Sequence, residues 1–255
     1  MALIANNVAT PLNRLLASLP AHEYDQFKAC LVRVSLVRDQ VLVEQGQPVE
    51  HAYFIEHGVV SVTADAADGE GGIQVAMIGR EGLVGDMSLL NLRHAACANV
   101  VVHLPGVALR LSSNDLRRAL DRSPALHQAC ARFMQSLIVQ FMQTAVCNAK
   151  RSLTERCARW LVMTHDRVEG NDVQVTHEAL SVMLGMHRPG VTVAAAALQQ
   201  AGLIRTGRGR FTVLDREGLH DVAQGARPAA RVTSARVRAD GVRHGLRSPV
   251  AGAIF

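Results

Sequence analysis

The chain has the length and composition of an ordinary globular protein, with room for one large or two modest domains. Its 255 residues are 49% hydrophobic and 19% charged, which is enough apolar surface for a sizeable core. No stretch approaches the roughly 18 uninterrupted apolar residues of a membrane-spanning helix, and the N-terminus MALIANNVATPLNRLL lacks the basic start and apolar core of a signal peptide. We therefore expect a cytoplasmic protein that makes no contact with a membrane.

The net charge of +5 is unevenly distributed and says little about the partner. Residues 220–255 carry six basic and two acidic residues, so this last segment holds most of the excess. Whole-chain charge is therefore weak evidence for a nucleic-acid partner. The segment is rich in Arg, Ala, Gly and Val without a period. It predicts a disordered basic tail that adds non-specific affinity for DNA, or else reflects an unusual reading frame at the end of the gene.

The five cysteines indicate neither a disulfide framework nor a structural metal site. They are scattered, with no CxxC pair and no histidine at zinc-finger spacing, so reduced and mostly buried thiols are the simplest interpretation. Their positions are Cys30, Cys97, Cys130, Cys147 and Cys157.

Between Gln40 and Leu111 the sequence predicts short strands separated by turn residues. The strand segments are QVLVEQ, HAYFIEHG, VVSVTADA, IQVAMIG, NVVVHL and VALRLS. VVSVTADA alternates apolar and polar residues, as a half-buried strand does. The glycine-rich cluster at 68–72 has no GK[ST] and no following helix, so it predicts a hairpin turn rather than a phosphate loop. Many short strands at this spacing predict an antiparallel sandwich or barrel, and a jelly roll is the form we expect.

After Pro124 the segment ALHQACARFMQSLIVQFMQTAVC has the period of a long helix. Its four-three stripe consists of Leu126, Cys130, Phe133, Leu137, Gln140, Thr144 and Cys147, with Met134 and Phe141 beside it. The stripe packs either on the strand domain of its own chain or on the same helix of a second subunit. Gln140 and Thr144 within it favour a dimer over a dry core. We predict dimerisation through Leu126, Cys130, Phe133, Leu137 and Phe141.

Two shorter helical patterns follow, with a glycine between them. Thr176 has the side chain of an N-cap, and the buried face of the first helix is Leu180, Met183 and Leu184. Gly185 permits a tight turn. The second helix has Pro189 in its first turn, ends at Gly202 and buries Val191, Ala195 and Leu198. Two short helices across a glycine turn predict a helix-turn-helix.

The residues after the second helix predict a wing. Leu203-Ile204-Arg205 and the segment 210–214 can pair as strands across Thr206-Gly207-Arg208-Gly209. In a helix-turn-helix the start of the second helix faces base edges, which places Arg188, Gly190, Thr192 and Val193 nearest to double-stranded DNA. Side chains better placed for phosphates are Thr176, His187, Arg205, Arg208 and Arg210.

Two other classes of function compete with DNA binding. The winged helix could dock another protein instead, or the jelly roll could hold a metal-dependent active site as cupin-like sandwiches do. The sequence has no HExxH and no GxSxG, and His177-Glu178 lacks partners at metal-ligand spacing. We therefore expect no enzymatic activity.

At residues 12–219 the sequence resembles the Crp/Fnr family of bacterial transcription regulators. The C-terminal segments LTERCARWLV, VTHEALSVMLGMHRPGV and LQQAGLIRTGRGRFTVLDREGL follow that family's order of linker helix, helix-turn-helix and wing. QVLVEQGQPVEHAYFIEHGVVSV is similar to the first strands of its cyclic-nucleotide-binding-type jelly roll. The resemblance implies an α+β fold and a homodimer joined through the long helix on a near-palindromic operator, with RNA polymerase as a partner if the protein is an activator.

The resemblance also implies a division of the chain. A jelly-roll sensor domain is expected at 12–122, a dimerisation helix at 123–148, a winged helix-turn-helix DNA-binding domain at 149–219 and the basic tail at 220–255. The expected function is that of a sequence-specific DNA-binding regulator.

The effector pocket departs from the family pattern. Members that bind cyclic nucleotides have Gly-Glu at the start of a short helix and Arg-Ser-Ala about ten residues later. The corresponding stretch here is GDMSLLNLRHAACA, and it predicts a pocket formed by Gly85, Asp86, Arg93, His94 and Ala95. The carboxylate is one methylene shorter and the spacing is shorter, which argues against a cyclic nucleotide. Arg93 is either an anion ligand or a surface arginine.

The sequence gives little indication of the other cofactors that family members use, an iron–sulfur cluster or haem. Members with an oxygen-sensing iron–sulfur cluster use a tight group of N-terminal cysteines, and Cys30 is the only cysteine here before residue 97. We therefore expect no cluster. Eleven histidines offer haem ligands, but the sequence marks out no single one.

Overall fold

A computed structural model of the chain describes residues 10–65, 72–85 and 95–225. Its strands are β1 (Val32–Leu36), β2 (Val41–Val43), β3 (His51–Asp65), β4 (Gly72–Ile78), β5 (Leu83–Val84), β6 (Asn99–Ser112), β7 (Asp172–Val173), β8 (Ile204–Gly207) and β9 (Arg210–Val213). Its helices are α1 (Arg14–Ala17), α2 (Ala21–Asp25), α3 (Ser113–Arg122), α4 (Pro124–Lys150), α5 (Leu153–His165), α6 (His177–Leu184), α7 (Arg188–Gln200) and α8 (Arg216–Ala223), and Lys28–Cys30 forms a 3-10 turn. The predicted α+β class is confirmed.

The N-terminal domain is built on two long antiparallel strands, β3 and β6. The order of the main sheet is β1-β6-β3-β4, with β2 paired to β6 and β5 to β3, and all of these pairs are antiparallel. The antiparallel pairing of β3 with β4 agrees with a hairpin, while the predicted turn at 68–72 lies, except for Gly72, outside the described residues. The fold matches the expected sandwich of antiparallel strands.

The prediction of separate short strands was wrong in two places. HAYFIEHG and VVSVTADA form the single strand β3, and NVVVHL and VALRLS form the single strand β6. The strands bend together where the register shifts between Ile55 and Val60, and Gly58 adopts a φ of 88° there. A Cβ at Gly58 would lie 2.8 Å from the Pro105 carbonyl oxygen of β6. The turn residues in the sequence therefore mark a bulge inside a paired strand rather than its end.

The helix α4 packs one face on the sheet domain of its own chain. Leu126 and Cys130 join a cluster with α1, α3 and the sheet, while Leu137 and Phe141 join the cluster around β3 and β4, and Phe133 contacts both clusters. These are the five residues that we predicted to form a dimer seam. The structure instead gives them the other role considered for the stripe, which is packing within the chain.

The polar residues of that stripe also have partners within the chain. The Gln140 side chain accepts a hydrogen bond from the Met77 N–H at 2.6 Å and donates one to the Met77 carbonyl at 3.2 Å. Thr144 Oγ1 donates to the Gln140 carbonyl at 2.9 Å. Because β4 ends the main path of the sheet, its outer backbone groups need such partners. Gln140 therefore satisfies a sheet edge, and the argument that it indicates a dimer register was wrong.

The opposite face of α4 is a second stripe, which we name the outer stripe. Its members follow three-four spacing and every one is exposed: Gln128, Ala131, Gln135, Ile138, Met142, Ala145 and Ala149. Ile138 is 53% exposed and Met142 57% exposed, and Val139 and Val146 beside them are exposed as well. A monomeric protein rarely leaves this many large apolar side chains exposed to water on one face of a helix.

The C-terminal domain combines α5 to α8 with the small sheet β7-β9-β8. Its core is continuous with the N-terminal domain, because Val59, Met77 and Leu104 pack in the same cluster as residues of α5, α6 and α7. Trp160 Nε1 donates a buried hydrogen bond of 2.8 Å to Gln74 Oε1 of β4. The contact between the two domains is thus both apolar and hydrogen-bonded.

The structure corrects the start of the predicted tail. The helix α8 continues to Ala223, and Leu219, Val222 and Ala223 are buried. Residues 220–225 therefore belong to the folded domain, and the rest of the predicted tail lies outside the described residues. Among the helices of the described segments, none is long and apolar enough to cross a membrane.

Candidate nucleic-acid interface

The turn between α6 and α7 has the geometry expected of a helix-turn-helix. Thr176 caps α6 by accepting a hydrogen bond from the Ala179 N–H at 3.1 Å. Gly185 ends α6 with a φ of 56°, a left-handed conformation that residues with a Cβ adopt only with strain. The apolar faces predicted from the sequence are the buried ones, since Leu180, Val191 and Leu198 are all fully buried. The packing leaves the other side of α7 facing solvent.

Arg188 lies in the first turn of α7 with its side chain 68% exposed. Its Nε is 3.6 Å from the Glu178 carboxylate of α6, which is itself 66% exposed. An exposed pair of this kind contributes little to stability. Glu178 therefore holds the guanidinium at the surface without burying it, a role that the sequence analysis did not assign to it.

Thr192 and Val193 follow Arg188 along the exposed side of α7. Val193 is 70% exposed, and Thr192 Oγ1 lies 3.2 Å from His177 Nδ1. His177 in turn stacks on Phe211 of the wing, with ring centroids 5.1 Å apart. His177 could not be assigned a role from the sequence, because its partners are remote in the chain. In the structure it links α6, α7 and the wing.

Gly190 is less exposed than the three other residues predicted to lie nearest to DNA. It is half-buried, and a Cβ at this position would lie 3.0 Å from Leu153 Cδ1. The glycine therefore allows α7 to approach α5 closely. Its predicted place among the residues nearest to DNA stays a prediction.

The predicted wing is formed by β8 and β9. They pair from Ile204 with Val213 to Gly207 with Arg210. Gln199 at the end of α7 accepts hydrogen bonds from the Thr206 N–H at 2.8 Å and from its hydroxyl at 2.7 Å, which fixes the wing to the second helix. Gly209 at the wing tip would place a Cβ 3.9 Å from Thr176 Cγ2. The wing thus adjoins the start of α6.

The three wing arginines are all exposed, as predicted. Arg205 and Arg208 have no ion pair among the described residues, and Arg210 lies 3.5 Å from Asp172 of β7. His187 precedes α7 without a side-chain cap hydrogen bond, so its side chain is free to turn outward. Arg188 and the three wing arginines thus place four guanidinium groups on the exposed surface of the winged helix, and such groups suit a polyanion.

The predicted effector pocket is described only at its two ends. Gly85 has a φ of 130°, and a Cβ there would lie 2.7 Å from the Ala52 Cα, so the position excludes a side chain. Ala95 is exposed. Asp86, Arg93 and His94 lie outside the described residues. Within the described part of the chain, no group of three or more His, Cys, Asp or Glu side chains lies together as a metal site would require.

Comparisons with known proteins agree with this architecture. A family model for the cyclic nucleotide-binding domain matches residues 33–123, and one for the Crp-like helix-turn-helix domain matches residues 155–222. A comparison with curated proteins gave no significant match. A sensor-type domain, a long helix and a winged helix-turn-helix define a DNA-binding regulator.

Solved structures show the same fold over the full length of the related chains. FixK2 from Bradyrhizobium japonicum matches with a TM-score of 0.65 at 15% identity, over 77% of this chain and 99% of that one. The c-di-GMP responsive global regulator CLP from Xanthomonas campestris matches with a TM-score of 0.61 at 18% identity, over 76% and 99%. A CRP-family transcriptional regulator from Thermus thermophilus matches with a TM-score of 0.62 at 24% identity, over 77% and 100%.

The two family models together cover more than half of the chain, in the order characteristic of one family. The chain belongs to the Crp/Fnr family of transcription regulators. The resemblance seen in the sequence is therefore confirmed.

Proposed function

We propose that the protein acts as a homodimer that reads a near-palindromic DNA site, with one winged helix on each half-site. The observation that carries the proposal is the exposed row on α7 that begins with Arg188, bordered by the arginines of the wing. A second helix of this kind fits the major groove with its first turns facing base edges. Arg188 supplies the planar fork that pairs with guanine, and Thr192 and Val193 complete the contact with the bases.

The phosphate contacts come from the edges of this surface. Arg205, Arg208 and Arg210 lie on the wing, and Thr176 and His187 lie at helix starts. Contacts with phosphates position a protein on the duplex without reading its sequence. Arg210 retains its partner Asp172 in the free protein, so we assign it the smallest share of the three wing residues.

The proposed dimer forms through the outer stripe of α4. Its three-four spacing is that of a two-stranded coiled coil, with Ile138 and Met142 at the centre and alanines toward the C-terminal end. The opposite face of α4 is already occupied by the sheet domain. This assignment replaces the five residues that the sequence analysis placed in the seam, and it keeps α4 as the dimerisation helix.

The further parts of the proposal follow from the same architecture. We assign residues 12–122 to the sensor domain, 123–148 to the dimerisation helix and 149–225 to the DNA-binding domain. The protein acts by binding and not by catalysis, in the cytoplasm, where its DNA is. RNA polymerase is its partner if it activates transcription.

The natural ligand of the sensor domain is proposed not to be a cyclic nucleotide, although the domain has the cyclic nucleotide-binding fold. The support is the stretch after Gly85, where Asp86 replaces the longer glutamate that would reach the ribose, and where the arginine comes at a shorter spacing.

The salt dependence of duplex binding tests the proposed interface. We expect the affinity of the protein for a labelled random-sequence duplex, measured by fluorescence anisotropy, to fall steeply with salt, because each phosphate contact releases counterions. Arg208→Ala removes one such contact per subunit. It should lower the slope of log affinity against log salt by about 2 for a dimer.

Arg132→Ala is the matched control, because Arg132 is an exposed arginine of α4 far from the wing in the chain. We expect it to leave the slope unchanged. Duplex binding that is undetectable at low salt would contradict the proposal and would favour the alternative, a ligand-binding module whose winged helix docks a protein.

A further inference from the structure

A small cavity lies where the sensor domain meets the DNA-binding domain. It has a volume of about 40 Å³, is partly open to solvent and is lined mainly by apolar atoms of β4, the C-terminal part of α4, α5 and the end of α6. This volume has room for about three water-sized groups. Its polar lining includes Thr144 and Asn148 from α4 and Arg156 and Arg159 from α5. It is separate from the pocket expected near Gly85 and from the surface of α7.

The two arginines of the cavity lack the acidic partners that other arginines of the C-terminal domain have. Arg216 pairs with Asp166 at 2.7 Å, and Arg167 pairs with Glu81 at 2.7 Å. Neither Arg156 nor Arg159 has an ion pair among the described residues, and no carboxylate lines the cavity.

Their hydrogen bonds are also incomplete. Arg156 donates through one terminal nitrogen to the Leu184 carbonyl, but its buried Nε has no hydrogen-bond partner. Arg159 donates a long bond of 3.4 Å to Thr144 Oγ1. Each guanidinium carries five N–H donors, and each makes one side-chain hydrogen bond among the described residues. A buried donor without an acceptor destabilises a protein unless a ligand or water accepts from it.

The electrostatic environment of Arg159 agrees with a missing anion. Burial is the largest influence on its pKa and lowers it, the neighbouring Cys147 raises it, and the positive charge of Arg167 lowers it again. A lowered pKa means that the charged form is disfavoured where it stands, and an anion would reverse this. No carboxylate among the described residues lining the cavity offsets the positive charge at this site.

We infer that this cavity binds a small tetrahedral oxyanion, either free phosphate or the terminal phosphate of a larger ligand. Guanidinium groups bind phosphate oxygens in bidentate fashion, and the Asn148 amide supplies a further donor. The anion would connect α4 with α5 across their junction at Arg151 and Ser152, and so couple the sensor domain to the DNA-binding domain. The cavity adjoins a wider and mainly apolar groove of about 550 Å³, with which it shares Val75, Thr144 and Asn148, so a phosphate monoester has space for its organic part.

Calorimetric titration of the full-length protein with inorganic phosphate tests this site. The buffer is free of phosphate, and its ionic strength is held constant with chloride so that general screening does not change. We expect saturable binding of one phosphate per chain in the millimolar range. Arg159→Gln should weaken it about tenfold or more, Arg159→Lys less because the charge remains, and Asn148→Ala to a smaller extent.

The matched control is Arg132→Gln, which removes the same charge from the exposed side of α4. Arg132 lines a different cleft with Arg14 and Arg167, so this control also tests the rival site. Unchanged affinity in Arg132→Gln supports the inference. Heats that equal those of added chloride would overturn it, as would binding that is lost in Arg132→Gln and retained in Arg159→Gln.

A second variant keeps the titration informative if the first one does not fold. If circular dichroism shows that Arg159→Gln does not fold, Asn148→Ala decides, because Asn148 is an exposed helical residue whose replacement by alanine preserves the helix.

Phenyl phosphate distinguishes the two sources of the anion. Tighter binding than inorganic phosphate indicates the terminal phosphate of a larger ligand, and equal or weaker binding indicates the free ion. The titration contains no DNA, so its result is independent of the proposed interface.

Discussion

Arg188 combines exposure with a weak partner, which is the combination that a base-reading side chain needs. Its distance of 3.6 Å to Glu178 and the exposure of both groups mean that the pair is screened by water and costs little to break. A guanine edge offers two acceptors in place of the carboxylate. In the proposed complex, a guanine edge would replace Glu178 as the partner of the guanidinium.

Replacing Arg188 with alanine should cost about 1–3 kcal/mol of binding free energy per half-site and relax the preference at one base position. Competition binding of a pool of single-base operator variants measures both effects. Arg208→Ala is the comparison, because a phosphate contact should weaken all sequences alike. Equal losses on the operator and on random duplex for Arg188→Ala would show that this arginine does not read a base.

His103 of β6 is a buried histidine whose lowered pKa should make the stability of the protein depend on pH. It is only 4% exposed, its Nε2 is buried without a hydrogen-bond partner, and its ring meets Trp160 edge to face with centroids 5.3 Å apart. Burial, together with the charge of Arg38, lowers the pKa of His103 to about 4. The folded protein therefore excludes a proton that the unfolded chain, with a pKa of about 6.5, accepts.

Stability should accordingly fall as the pH drops from about 6.5 towards 4, because only the unfolded state gains the proton in this window. Urea unfolding at about pH 7.5 and about pH 5 should show that the wild type loses about 2 kcal/mol more than His103→Phe. The phenylalanine keeps an aromatic ring on Trp160 and removes the titrating group, while the acidic residues titrate in both proteins. The same pH dependence in both would mean that His103 is protonated without cost.

For α4, the sequence predicts the helix itself but not which of its faces packs on the sheet. The period predicts a helix at 123–148, and the helix spans Pro124–Lys150. One helix can carry two apolar faces, however, and the period alone does not say which of them meets the sheet. Gln140 was misleading because its partner, the Met77 backbone, is 63 residues away in sequence. Only the fold brings the edge strand and the glutamine together.

The outer stripe gives a direct prediction about assembly. Met142→Glu places two like charges at the centre of the proposed seam, which should cost several kcal/mol of association free energy and yield monomers in sedimentation equilibrium. Gln143→Glu adds the same charge one residue along, on a side of α4 away from the outer stripe, and should remain dimeric. Dimers in both variants would place the subunit interface elsewhere.

The strands also show that a local sequence pattern does not determine where an element ends. The period-two pattern of VVSVTADA was visible in the sequence, but the continuity of β3 through Gly58 was not. A glycine followed by a new alternation looks the same whether the chain turns back or bends within a strand. The difference depends on the close approach of β6 near Pro105, which is a contact between distant residues.

For the whole molecule, the order of the elements could be predicted and their coupling could not. The sequence places a sheet domain, a long helix and a winged helix-turn-helix along the chain. The glycine turn was sufficient to locate the helix-turn-helix domain, while the residues that contact DNA remain a proposal. The shared core of the two domains and the Trp160–Gln74 hydrogen bond across them depend on residues 86 positions apart. The cavity that holds Arg159 arises from that junction and has no signature in any one segment.

Two copies of this chain are proposed to read DNA together. Selection from random duplexes with the purified full-length protein at near-physiological salt, followed by sequencing of the bound pool, tests this proposal. We expect enrichment of a two-fold symmetric site with half-sites about one helical turn apart. A bound pool with the sequence composition of the input, or one that enriches a single asymmetric element, would contradict it.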